Sequence, residues 1–278
     1  MRASLRFFLP HAVRCGALAL MLVFLGACAR STDTLRTPAD PVVAQTLWSR
    51  FTHSAQRAQK ADPFRLNATL YYSGKEDSQR VTVYFWGNGE NESPLPLRLD
   101  ILMGPGSVMA AIREDSGGLS IYVPRDKTVY QADEGNLLAF DLPVPFSLAD
   151  LSALVTGKFA DLFAPPEADA EDVIRSAMQG DNGAVVYHLP EAPLPGRVTL
   201  DENALPVAWS DGENWTLTIE YWPDSTRTTP RKLYIKHAEG REATLIVREL
   251  DHPKPFTVKQ LDLTVPQGTR LAPLEVRQ

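Results

Sequence analysis

The chain has 278 residues, with 28 Lys and Arg against 34 Asp and Glu for a net charge of −6, and 44% of its residues are hydrophobic. The acidic balance leaves no electrostatic footprint for a nucleic-acid partner, and the apolar content is ample for a packed core rather than a disordered chain.

The first element is a leader. Arg2, Arg6 and Arg14 form a basic start, Ala17 to Leu25 is an apolar run, and the small residues Gly26 and Ala27 precede Cys28. About ten apolar residues are too few to span a bilayer core, which takes roughly twenty. Leu25-Gly26-Ala27-Cys28 resembles a bacterial lipobox. On that reading residues 1–27 are removed and Cys28, now first in the chain, carries a diacylglyceryl anchor; the alternative is an ordinary secretory leader cut elsewhere. The leader holds three of the 28 basic residues and no acid, so the mature chain has 25 against 34, a net of −9. Cys15 leaves with the leader and Cys28 is acylated, so no disulfide forms within the mature chain, and burial alone must hold its core. Ala29 follows the modified cysteine in place of the aspartate that favours inner-membrane retention in enteric bacteria, which points to the outer membrane, facing the periplasm.

Residues 28–39 are polar and read as a flexible tether, and 40–278 as one domain. Asp40-Pro41 is a helix start, a capping residue followed by proline at the first helical position. Val43, Leu47 and Phe51 recur every fourth residue and predict the buried stripe of a helix ending before Pro63. The period then falls to two. Phe64/Leu66/Ala68/Leu70/Tyr72, Val81 to Trp86, Leu97/Leu99/Ile101/Met103 and Leu119/Ile121/Val123 are strands, separated by Ser73-Gly74, Asn88-Gly89, Gly104-Pro105-Gly106 and Gly117-Gly118. Such short turns make an antiparallel meander rather than parallel crossovers.

A helical interlude follows. Asn136 to Leu142 is short and apolar. Ser147-Leu-Ala-Asp is a capping box with Asp in place of the usual Glu, and Leu148, Leu151, Val155 and Phe159 share the face behind it. Glu171 to Gln179 predicts another short helix. Strands resume at 184–188, 197–200, 206–209, 215–221, 232–237, 243–250 and 256–263, with hairpin turns at Asp211-Gly212 and Glu239-Gly240. The fold class is mainly β with α, about eleven strands with a helix in front and a helical insertion midway.

Enzyme motifs are poorly represented. His53, His188, His237 and His252 have no ligand spacing, no zinc site or other cofactor is implied, and no nucleophile elbow, His-Glu-x-x-His or phosphate loop occurs. The acid pairs Glu114-Asp115 and Glu171-Asp172 read as solvated structural groups, the second suited to a helix start. The chain is therefore expected not to be an enzyme.

From Leu97 to Phe163 the motifs Leu97-Arg98-Leu99-Asp100-Ile101-Leu102, Met103-Gly104-Pro105-Gly106-Ser107-Val108, Ala110-Ala111-Ile112, Leu119-Ser120-Ile121-Tyr122 and Val129-Tyr130 lead into Leu-rich helices, and Leu263-Thr264-Val265-Pro266-Gln267-Gly268 closes the chain. This order resembles the LolA/LolB-like family of periplasmic lipoprotein carriers over most of residues 40–268. As a lipid-modified chain it is closer to LolB, the outer-membrane receptor. The resemblance implies an incomplete antiparallel β-barrel lidded by helices, with the closing segment as last strand. It also implies an apolar cavity for acyl chains, and acyl chains, lipoproteins or a periplasmic carrier as partners. Phe85, Leu99, Ile101, Leu151, Val155 and Trp215 are the candidate cavity lining, plain core being the other reading. The family's receptor exposes a leucine on the loop between its third and fourth strands. Here that loop has none, and Met103, Val108 and Met109 are the candidates for lipid contact. A structural or regulatory lipoprotein that docks an envelope complex without lipid cargo is the second functional reading.

The anchor can be tested directly. One acyl chain binds a membrane marginally while two or three hold, at about 0.8 kcal/mol per buried methylene. Cys28→Ala is therefore expected to leave the body folded but free in the periplasm. Fractionation showing membrane retention after verified leader removal would contradict the lipobox reading.

Overall fold

A computed structural model describes residues 37–274 apart from 59–61, 75–77, 89–95, 105, 134–136, 138–143, 166–169 and 225–227. The leader, Cys28 and the expected helix over 136–142 lie outside the described residues, save Leu137, which is buried and donates its N–H to Phe146 O.

Alternation of apolar and polar residues builds a first meander from β1 (Phe64–Ser73), β2 (Ser78–Gly87), β3 (Leu97–Leu102), β4 (Val108–Asp115), β5 (Gly118–Val123) and β6 (Thr128–Ala132). A second runs through β7 (Met178–Gln179), β8 (Val185–Leu189), β9 (Gly196–Leu200), β10 (Pro206–Ser210), β11 (Trp215–Tyr221), β12 (Pro230–His237) and β13 (Glu242–Asp251). Each strand pairs antiparallel with its neighbour in sequence, and the meanders join where β1 pairs β13. With β14 (Arg270–Pro273), which pairs β6 in parallel, the described residues form one fourteen-stranded sheet with β14 and β7 at its free edges. It does not close. This is the incomplete, helix-lidded barrel expected from the LolA/LolB-like resemblance, with more strands than the eleven predicted.

One face of the sheet is largely apolar. Phe85, Leu99, Ile112 and Ile121 are successive register partners across four strands and are all buried. The chain leaves β6 next to one edge and begins β7 at the other, and the intervening helices cover this face. They are α2 (Leu148–Thr156), α3 (Ala160–Phe163) and α4 (Ala170–Arg175), joined by α1 (Pro41–Ala58) from the N-terminal side. Helix α2 touches both β3 and β12, four places apart in the sheet, so the sheet curls around it. Strand and helix side chains merge into a single apolar cluster.

The capping residues behave as their chemistry requires. Asp40 accepts N–H bonds from Val42 and Val43 at 2.8 and 3.2 Å. Ser147 and Asp150 exchange side-chain and backbone bonds at 3.0 and 2.9 Å. The predicted face of Leu148, Leu151, Val155 and Phe159 is buried. On α1, however, the stripe is Ala44, Leu47, Trp48 and Phe51, and Val43 is 46% exposed. Trp48 sets the rotation: its ring lies 5.1 Å from that of Tyr187, whose buried hydroxyl donates to Ala44 O at 2.7 Å.

The C-terminal segment also differs from expectation. Residues 256–263 are not a strand. Thr257 and Gln260 form a capping box that turns Val258–Leu261 into a short helix, α5. The stretch 263–268 is irregular, and the last strand is β14. Similarly, the helix predicted over 171–179 ends at Arg175, and Met178–Gln179 pair with β8.

Gly196 shows how tightly the second meander is packed. It has φ +144°, and a Cβ there would lie 2.2 Å from Ser210 O and 2.9 Å from Trp209 Nε1. Gly196→Ala is expected to destabilise the domain by about 1–3 kcal/mol, read as a lower midpoint in urea unfolding; an unchanged midpoint would show that the β9–β10 pair yields freely.

Candidate functional site

The candidate site is the apolar trough between the curled sheet and its helices. The sheet side comes from period-two strands and the helix side from the Leu-rich face behind Ser147. Of the candidate lining, Phe85 and Leu99 pair directly, Ile101 follows on the same face, and Leu151 and Val155 come from α2. Trp215 belongs to the same cluster, but its ring lies 4.5 Å from His237 and 5.5 Å from the Arg241 guanidinium. None of the six is more than 8% exposed. All six are closed off from solvent.

The three loop candidates divide. Met103 is 50% exposed just beyond β3, and its N–H bonds to Ser107 O at 2.9 Å, closing the loop. Val108 pairs with Leu102 and is also exposed. Met109 is the extra residue of a β-bulge, since pairing passes from Ile101–Ala110 to Leu102–Val108, and it packs against the main core. Met103 and Val108 therefore carry the apolar surface of this loop.

Glu114 departs from the solvated role expected of it. It lies at the end of β4, half-buried, and its Oε2 accepts the Leu148 N–H at 2.6 Å. It thus ties the first turn of α2 to the sheet, next to the Asp150 of the capping box. Burial raises its pKa, the Asp150 charge adds to the rise, and the Leu148 and Ala149 backbone bonds oppose it. No sequence signal separates this glutamate from a surface one, because its partner lies 34 residues away. Asp115 pairs with Arg113, as a surface acid would.

A second concavity of about 440 Å³ lies on the other face of the sheet, with Tyr84, Trp86, Leu102, Val108 and Phe256 in its wall and Arg65, paired with Asp251 at 2.7 Å, at its side. The C-terminal segment borders it. Asn88 and Phe256 exchange bonds of 2.7 and 2.6 Å. Arg98, over the Trp86 ring and paired with Asp100, donates to Asp262 O. Leu263 covers the small apolar cluster of Ala111, Tyr122 and Val129. Among the described residues no group of three or more His, Cys, Asp or Glu is placed to hold a metal ion.

No protein-family model matches the chain, and no curated protein does. Solved structures do. A DUF1329 family protein from Desulfovibrio piger is similar with a TM-score of 0.50 and 8% identity, over 81% of this chain and 98% of that one. A LolA superfamily protein, NE2245 from Nitrosomonas europaea, is similar with a TM-score of 0.47 and 10% identity, over 79% and 97%. At these identities the likeness is one of fold.

Glu114 makes a pH-dependent prediction. A carboxyl whose pKa is raised on folding contributes stability below the ordinary carboxylate range and loses it as pH rises through the folded-state value. Gln at this position keeps an oxygen for the Leu148 N–H without the charge. Glu114→Gln is expected to match the parent melting temperature at pH 4 and to exceed it by a few degrees at pH 7; a difference independent of pH would show that the carboxylate is not strained by burial.

Proposed function

We propose that this protein is a lipid-anchored envelope lipoprotein that takes an acyl chain, of a lipid or a lipidated protein, into the trough between its open sheet and its lid helices. The observation that carries this reading is the pairing of an unclosed sheet, largely apolar along its inner face, with short helices that cover that face. Such helices supply by their own side chains the apolar contacts that an acyl chain would otherwise make. Exposing about forty methylenes of an anchor to water costs on the order of 30 kcal/mol, so a carrier needs a continuous apolar surface of this kind. The LolA superfamily name of one structural neighbour is consistent with lipoprotein handling, and the lipobox with a station at the outer membrane facing the periplasm.

One observation favours the second reading, a docking lipoprotein without cargo. The interior is filled by Leu148, Leu154, Phe163 and their neighbours, all buried, whereas the accessible concavity lies on the outer face.

The two readings part on the contents of the trough. The unit Pro38–Gln278 is compact, so the chain without leader and Cys28 can be purified and examined by native mass spectrometry, alongside displacement of an apolar dye. Cargo binding predicts co-purified lipid and a dye response lost on adding lipoprotein acyl peptide. An empty interior that excludes both would leave the docking role.

A further inference from the structure

The exposed face of α1 poses a question that the fold does not answer. Pro38, Pro41, Val42 and Val43 are all exposed, Val42 at 73%. Pro38 forms a bridge with Met178, which is itself 37% exposed, and Ala39 N–H bonds to Ala177 O at 3.0 Å. An apolar run thus opens the body of the protein and sits against an apolar residue of the β7 edge. From Thr37 to Ser49 the one charged side chain is Asp40. Its carboxylate accepts the Val42 and Val43 N–H groups, where the positive end of the helix dipole offsets its charge.

The place of this run in the chain says what covers it. Cys28 stands nine residues before Thr37, and nine residues reach at most about 30 Å when fully extended. We propose that the first turn of α1 with Pro38 and Met178 is a bilayer-contacting face, seated in the headgroup region of the membrane that holds the Cys28 anchor. This rests on the anchored reading of the chain. A contact of so few apolar side chains would be negligible for a free protein. A short tether changes that, because it holds the face near the bilayer at an effective concentration of roughly millimolar, and a helix start with one offset charge suits an interfacial position. The contact would fix which edge of the sheet faces the membrane: the β7 edge approaches it, and β14 occupies the opposite edge.

The mature chain has no cysteine but the acylated Cys28, so single introduced thiols can be labelled cleanly. The full chain, produced in a lipoprotein-processing host, is placed in vesicles of phosphatidylethanolamine and phosphatidylglycerol containing brominated-acyl phosphatidylcholine. An environment-sensitive dye is attached in turn to Val42→Cys, Met103→Cys and Leu271→Cys, the last being 72% exposed on β14. Bromolipid is expected to quench the dye at 42 several-fold more than at 271 or 103, and Val43→Asp is expected to abolish that excess. Equal quenching at 42 and 271 overturns the proposal, as does quenching confined to 103, which would assign the contact to the β3–β4 loop. Emission at 42 that follows protein concentration rather than bromolipid would assign the face to a second copy of the chain and also overturn it. The intact mass of the purified protein reports acylation separately: an unmodified Cys28 removes the anchored reading and this proposal together, whereas an acylated chain with no quenching at 42 removes this proposal alone.

Discussion

The pairing of β1 with β13 is the constraint from which the rest of the molecule follows. It joins the start of one meander to the end of the other, over Arg65–Ser73 against Asp251–Glu242. Its strength lies in the ladder and in buried pairs such as Ala68–Val247 and Leu70–Leu245 rather than in the exposed Arg65–Asp251 ion pair. With this seam central, β6 and β7 fall at distant positions in the sheet, and the chain between them must cross from one side to the other. The crossing segment carries the Leu-rich helices, so the topology itself lays an apolar lid across an apolar face.

The lid is held by polar contacts at its ends as much as by burial. Ser147 and Asp150 satisfy the start of α2, and Glu114 reaches from β4 to the Leu148 N–H. A half-buried carboxylate there is costly when ionised, since burial and the Asp150 charge both oppose it. The junction between sheet and lid is therefore sensitive to the ionisation of Glu114.

Much of the sheet was legible because a half-buried strand writes its two faces into alternate residues. Leu66, Ala68 and Leu70, or Leu217 and Ile219, point inward as their spacing requires. The failures have particular causes. Val43 fits the helical spacing as well as Ala44 does, and only the Trp48–Tyr187 contact, made across 139 residues of sequence, decides the rotation. Phe256 and Val258 alternate like a strand, yet a Thr257–Gln260 box makes a helix there. Met109 was a candidate tip residue, and a bulge turned it onto the core. Strand β14 is four residues long and exists through its pairing with β6, so it has no pattern of its own.

The sequence by itself determined the meanders and the capped helix that opens the lid, because each depends on contiguous residues and on local periods of two or 3.6. Tertiary structure alone decided that the two meanders meet at β1 and β13, that Glu114 serves a helix 34 residues away, and that Val42 and Val43 face outward at the start of α1. Those outcomes depend on contacts between distant segments, and no local spacing of residues encodes them.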